Sequence, residues 1–106
     1  MEIKIIITTT DSDKTANDIA KYLVKDNLSP CVQITPNIQS VYKWKNKLDK
    51  SGEILLLIKT IPDNVQDCKK LILKYHNFGV PEIIITNGEI LNDEYRDWFI
   101  RNSNKI

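Results

Sequence analysis

The single histidine, His76, comes first, because imidazole is the side chain suited both to proton transfer near neutrality and to metal ligation. One histidine per chain excludes a multi-histidine metal site or a histidine dyad within one subunit. Glu82 follows at the start of a strand-like run. Any catalysis would lean on His76, the only side chain here whose ordinary pKa lies near neutrality. The same place at a helix end equally suits a structural imidazole bonded to terminal carbonyls.

Glu53 and Lys59 have an even separation on one strand, which puts both side chains on the same face. With His76 and Glu82 they can form a Lys–Glu–His cluster around a cleft, or an ordinary ion-pair network with no chemistry attached. Cys31 opens a strand and Cys68 falls on the apolar stripe of a helix, so both read as small, reduced, buried hydrophobes rather than nucleophiles or ligands. No glycine-rich phosphate loop, nucleophile elbow or calcium loop is present, and a lone histidine without a nucleophile partner argues against a hydrolase. Lys43, Lys45, Lys47 and Lys50 read as a solvated strand edge and hairpin tip rather than an anion site.

The elements that must position these residues follow from periodicity. Ile3–Ile7 is β-branched and runs into Thr8-Thr9-Thr10-Asp11-Ser12, a strand ending in a loop. From about Asp13, Ala16, Ile19, Ala20, Leu23 and Val24 recur at helical steps, predicting a helix capped by Ser12 or Asp13 that stops near Asn27. Cys31 to Trp44 is extended with a bulge or bend at Pro36, Lys47–Gly52 is the hairpin tip, and Glu53 to Ile61 is the return strand. Asp63 with Gln66 suggests a capping box opening a helix striped by Val65, Cys68, Leu71, Ile72 and Tyr75. His76–Pro81 is a loop, Glu82–Asn87 a strand broken by Gly88, and Asn92 or Asp93 starts a helix carrying Tyr95, Trp98 and Phe99. The order β-α-β-β-α-β with a terminal helix is the split pattern of a ferredoxin-like α+β sandwich, one domain over residues 1–106.

Composition narrows the function classes. Apolar residues at 42% and charged residues at 27% are globular values, and a net charge of +1 supplies no basic field for a nucleic-acid backbone. No apolar run approaches the ~20 residues of a membrane helix, and no secretory leader opens the chain, so the expected setting is cytoplasmic.

The hairpin carries the strongest physical signal. A second strand from Cys31 to Trp44 spans about 45 Å at ~3.3 Å per residue, more sheet than two short helices can cover. Its far half still carries Val41, Tyr42, Trp44 and Leu48. Exposed aromatics and open strand edges are best buried against copies of the same chain, so a closed homo-oligomer is expected.

Taken in order, Cys31-Val32-Gln33-Ile34-Thr35-Pro36, Ser40-Val41-Tyr42-Lys43-Trp44 leading through Lys47-Leu48 to Glu53, Ile58-Lys59-Thr60, His76, Val80-Pro81-Glu82-Ile83 and Tyr95-Arg96-Asp97-Trp98 are similar to the CutA divalent-ion-tolerance family over nearly the whole chain. The resemblance implies a ferredoxin-like fold assembled as a cytoplasmic homotrimer through the long hairpin. It also implies a non-enzymatic role in the response to metal ions and no obligatory cofactor, with weak binding of copper(II) or another divalent cation by His76 and Glu82 as candidate ligands, completed by water or a neighbouring subunit. An architectural likeness to PII signalling trimers implies the alternative, a signalling or scaffold trimer. Its inter-subunit cleft, lined by Tyr42, Trp44, Glu53, Lys59, His76 and Glu82, would take a small organic anion or a protein partner. Neither nucleic acid nor membrane is expected as a partner. The chain departs from the family at His76-Asn77-Phe78-Gly79, where His-Pro-Tyr is usual, which predicts a looser loop. Thr8 stands where some members carry a thiol, which removes a soft ligand for copper(I).

Overall fold

A computed structural model describes residues 1–103, and among these the elements run β1 (Glu2–Thr10), α1 (Asp13–Lys25), β2 (Cys31–Trp44), β3 (Lys47–Thr60), a 3₁₀ turn at Pro62–Asn64, α2 (Val65–Tyr75), β4 (Ile83–Glu89) and α3 (Asp93–Arg101). The four strands form one antiparallel sheet in the order β2-β3-β1-β4. This is a mixed α+β fold with the expected element order. No helix among the described residues is long and apolar enough to cross a membrane.

The pleat sorts the sheet into two faces. Ile6, Leu56 and Ile58 point to one face and pack with Ala16, Ile19 and Leu23 of α1 and Cys68 and Ile72 of α2, all buried. Ile3 points to the other face, where Phe99 of α3 and Ile90 cover it. α1 begins as expected: the Ser12 hydroxyl accepts from the Thr15 N–H at 3.1 Å. It ends in a Schellman arrangement, with Asn27 at positive φ and Leu28 N–H donating to the Leu23 carbonyl at 3.0 Å.

Four boundaries differ from the sequence reading. The hairpin turns at Lys45-Asn46, not at Lys47–Gly52, and β3 starts at Lys47. Both turn residues have positive φ (51° and 65°), the signature of a two-residue primed turn, here without the glycine that normally announces it. Gly52 lies within β3, opposite Gln39. The Asp63–Gln66 capping box does not form: Asn64 is the residue before α2, and its side-chain amide instead donates to the Ser103 carbonyl at 2.7 Å, tying the turn to the end of α3. Gly88 continues β4 opposite Ile3, because a Cβ there would sit 3.0 Å from Ile5 Cδ1 and 3.2 Å from Ile3 Cγ1. β1 runs through the threonines to Thr10, which are strand and not loop.

The bulge at Pro36 is present. Pairing slips between Thr35 and Ile38, leaving Pro36 without an amide to offer and Asn37 at φ 61°. Beyond it, Ser40, Tyr42 and Trp44 lie opposite Ser51, Asp49 and Lys47, on the face of the sheet turned away from α1 and α2.

Candidate functional site

Where the hairpin leaves the rest of the sheet, a cleft of about 760 Å³ opens between its Tyr42–Trp44 face and the loop that joins α2 to β4. The C-terminal end of β1 builds its floor. Three consecutive threonines each fasten one part of that loop. Thr8 Oγ1 donates to the Glu82 carbonyl at 2.7 Å, the Thr9 carbonyl meets His76 Nε2 at 2.9 Å, and Thr10 Oγ1 donates to Asn77 Oδ1 at 2.6 Å. Asn77 in turn donates through Nδ2 to Asp11 Oδ1 at 2.7 Å. Asn77, part of the departure from the family pattern, thus supplies two of the loop's side-chain hydrogen bonds.

His76, expected to offer a nitrogen to a metal, has both ring nitrogens engaged within the chain. The Phe78 N–H donates to Nδ1 at 3.1 Å. Nδ1 is thereby the acceptor, so Nε2 carries the proton and donates to the Thr9 carbonyl. In this conformation the neutral imidazole has no free lone pair, and its ring is tilted against Phe78 at a centroid distance of 5.1 Å. His76 is not among the residues that line the cleft; it fastens the loop that carries Asn77 and Phe78 into it.

Of the other expected residues, Tyr42, Trp44, Glu53 and Glu82 do line the cleft. Lys59 does not. It shares the Glu53 face, as parity requires, but lies opposite Cys31 and Ile5, about 20 Å farther along β3 at ~3.3 Å per residue. The Lys–Glu–His cluster therefore does not assemble within one chain.

Residues that sequence reasoning passed over complete the site. Asp11 and Asp49 join Glu53 and Glu82, and Phe78 joins Tyr42 and Trp44. Asp49 was hidden by the misplaced turn: with the hairpin closing at Lys45-Asn46, it faces Tyr42. Glu53 is buried at 8% exposure, and its Oε1 accepts from Ser40 Oγ at 2.5 Å. Among the described residues none of the four carboxylates forms an ion pair, and no Lys or Arg lines the cleft. The field inside is negative. That charge opposes the organic anion of the PII-like alternative. No three His, Cys, Asp or Glu side chains among the described residues converge on one point as a ready-made metal cage.

The cysteines lie elsewhere. Cys68 is fully buried, and burial pushes its thiol up to about 11. Cys31 is only half-buried, on the opposite face beside Tyr95, rather than in the core as its sequence suggested.

Comparison with known proteins agrees with this architecture. The family described as "CutA1 divalent ion tolerance protein" matches residues 4–102. The divalent-cation tolerance protein CutA of Thermus thermophilus is 34% identical over 100 residues, covering 94% of this chain and 97% of that protein. A CutA homolog of Xenopus laevis is 38% identical over 90 residues, but the chain spans only 60% of that longer protein. The solved Thermus thermophilus divalent cation tolerance protein superposes with a TM-score of 0.89 at 35% identity, over 98% of this chain and all (100%) of that one. With the sheet order, the long hairpin and nearly full-length similarity in agreement, the chain belongs to the CutA1 divalent ion tolerance family.

Proposed function

We propose that this protein serves divalent-ion tolerance by binding divalent cations weakly and reversibly in the acidic cleft, without catalysing a reaction. The supporting observation is the set of four carboxylates, Asp11, Asp49, Glu53 and Glu82, without ion-pair partners around one cleft that lacks Lys and Arg. Carboxylate, hydroxyl and amide oxygens are hard donors that suit magnesium, calcium or manganese, and they hold copper(II) less selectively than nitrogen or sulfur would. Spread around the cleft rather than converging, they suit a cation that keeps part of its water shell. His76 adds a nitrogen donor only where the Phe78 N–H bond opens. With that imidazole committed to the loop, the cleft offers no free imidazole to move a proton near neutrality, which supports a non-enzymatic role.

We further propose a homotrimer joined through the hairpin. Val41, Trp44 and Leu48 expose 59%, 55% and 74% of their surface in the single chain, a density of apolar exposure that self-association would remove.

Titration calorimetry with manganese(II) and copper(II) tests the cation reading. Wild type is expected to bind both at micromolar to millimolar affinity, and replacing Glu53 and Glu82 together by Gln is expected to weaken both about tenfold. His76→Ala is expected to leave manganese affinity unchanged. Absence of saturable binding up to millimolar metal would overturn the reading, and unchanged copper affinity in His76→Ala would remove His76 as a ligand.

A further inference from the structure

Where α1 and α2 lie side by side, Tyr22 and Tyr75 stack with ring centroids 4.9 Å apart and planes 12° from parallel. Among the described residues no other two tyrosines meet: Tyr95 contacts Trp98 and Phe99, and Tyr42 contacts no ring. Rigid elements hold both rings, since Tyr75 packs against the buried core and Tyr22 shares α1 with the buried Ile19 and Leu23. The two helices cover the sheet face turned away from Tyr42 and Trp44. The pair therefore stands clear of the cleft and of the hairpin surface proposed to join subunits.

Packing alone would be served as well by two phenylalanines. Two features give the phenols chemistry of their own. Both rings are half-buried, yet neither hydroxyl is bonded to another described residue and neither oxygen is sealed from water, so both reach solvent. Lys21 and Lys25 bring Nζ to 5.4 and 6.0 Å from the Tyr22 centroid, and Lys74 lies 5.3 Å from that of Tyr75. None of the three ammonium groups forms an ion pair among the described residues. The adjoining groove adds Lys70 together with Asp26 and Asp67, which leaves lysines in excess over carboxylates. The local field is positive and draws a small anion toward the rings.

We infer that Tyr22 and Tyr75 form an oxidative coupling site, which takes an anionic one-electron oxidant, carbonate radical anion, and joins into a dityrosine that fastens α1 to α2. Each carbonate radical anion removes one electron and the phenolic proton from one tyrosine and leaves as hydrogencarbonate. The two phenoxyl radicals combine through a carbon–carbon bond between ring positions ortho to the oxygens. The hydrogens on those two carbons then move to the oxygens and restore both phenols. Two electrons and two protons leave the protein, and two oxidant molecules are consumed. The bond requires the rings to slip from stacked to edge-to-edge, a side-chain rotation open to half-buried rings. Because the partners are already in contact, coupling within one chain outruns encounter between chains.

Radiolysis of the full chain in bicarbonate saturated with nitrous oxide, which delivers carbonate radical anion, tests the inference through dityrosine fluorescence and peptide mapping. The expected product is a single chain lighter by two hydrogen atoms, with one peptide linking Tyr22 to Tyr75. Tyr22→Phe and Tyr75→Phe each keep a stacked ring and remove a hydroxyl without an internal partner. Both should melt with the wild type and lose dityrosine yield about fivefold or more, while Tyr42→Phe keeps it. A variant carrying Lys21→Gln, Lys25→Gln and Lys74→Gln should lose yield about twofold with carbonate radical anion and none with the neutral azide radical. Tyrosine consumed without a Tyr22–Tyr75 peptide, dityrosine persisting in Tyr22→Phe, or links formed only between chains would each overturn the coupling site. Equal loss with both radicals in the lysine variant would overturn the anionic oxidant.

Discussion

At the scale of single residues, the chain separates chemistry that is accessible from chemistry that is sealed. Cys68 packs against α1 and β3 with a thiol raised to about 11, so it stays protonated in the fold over a range where an unfolded chain would ionise it. An acid whose folded pKa is raised contributes stability below its unfolded value, near 9, and loses it as pH climbs toward 11. Thermal melts at stepped pH should therefore show a steeper fall above pH 9 in wild type than in Cys68→Ala. Native protein at pH 8 should also resist iodoacetamide at Cys68, as peptide mapping would show. Equal slopes in the two proteins would remove the thiol from the pH response. His76 illustrates the opposite limit of sequence reading: its type promised a ligand, and two hydrogen bonds make it a structural fastener.

At the scale of elements, two short segments set the shape of the site. The loop from His76 to Glu82 is tied to β1 at three successive threonines, and Asn77 contributes two of the side-chain bonds. Asn77→Ala should lower local stability by about 1 kcal/mol, since it removes two side-chain hydrogen bonds at an exposed position. Amide exchange from Phe78 to Glu82 should then quicken about tenfold while α1 and β1 stay protected. Exchange unchanged in that loop would show that the threonines and His76 hold it alone. In β4, Gly88→Ala places a methyl against Ile3 and Ile5 and should cost about 1–2 kcal/mol through overpacking. The melting temperature checks it, and an unchanged value would mean that the two isoleucines move aside freely. Periodicity located β4 but not its glycine, because a close approach across strands leaves no trace in local pattern.

At the scale of the whole molecule, the hairpin dominates. The chain measures 47 × 26 × 21 Å with a radius of gyration of 14.6 Å, against about 13 Å for a compact chain of this length. Light scattering should return three times the 12.3 kDa chain mass for the proposed trimer. Leu48, 74% exposed, projects from the face opposite Tyr42 and Trp44 and does not line the cleft, so Leu48→Asp should release monomers while sparing the cleft's own side chains. A wild-type particle of one chain mass at micromolar concentration would remove the assembly.

The amino-acid sequence by itself determined the element types and their order, the Ser12 cap, the helix stripes and the bulge at Pro36, because each of these is a local contest settled within a few residues. It also placed Tyr42 and Trp44 on one face of their strand and Glu53 and Lys59 on one face of the next, since alternation is a property of each strand by itself. Tertiary structure alone decided that the hairpin closes at Lys45-Asn46, that Asp11 and Asp49 face Glu53 and Glu82, that Lys59 stands apart, and that His76 is held by Thr9 and Phe78. These outcomes depend on where distant segments meet, and pairing across 67 residues from Thr9 to His76 is set by the packing of the sheet as a whole, not by any pattern near either end.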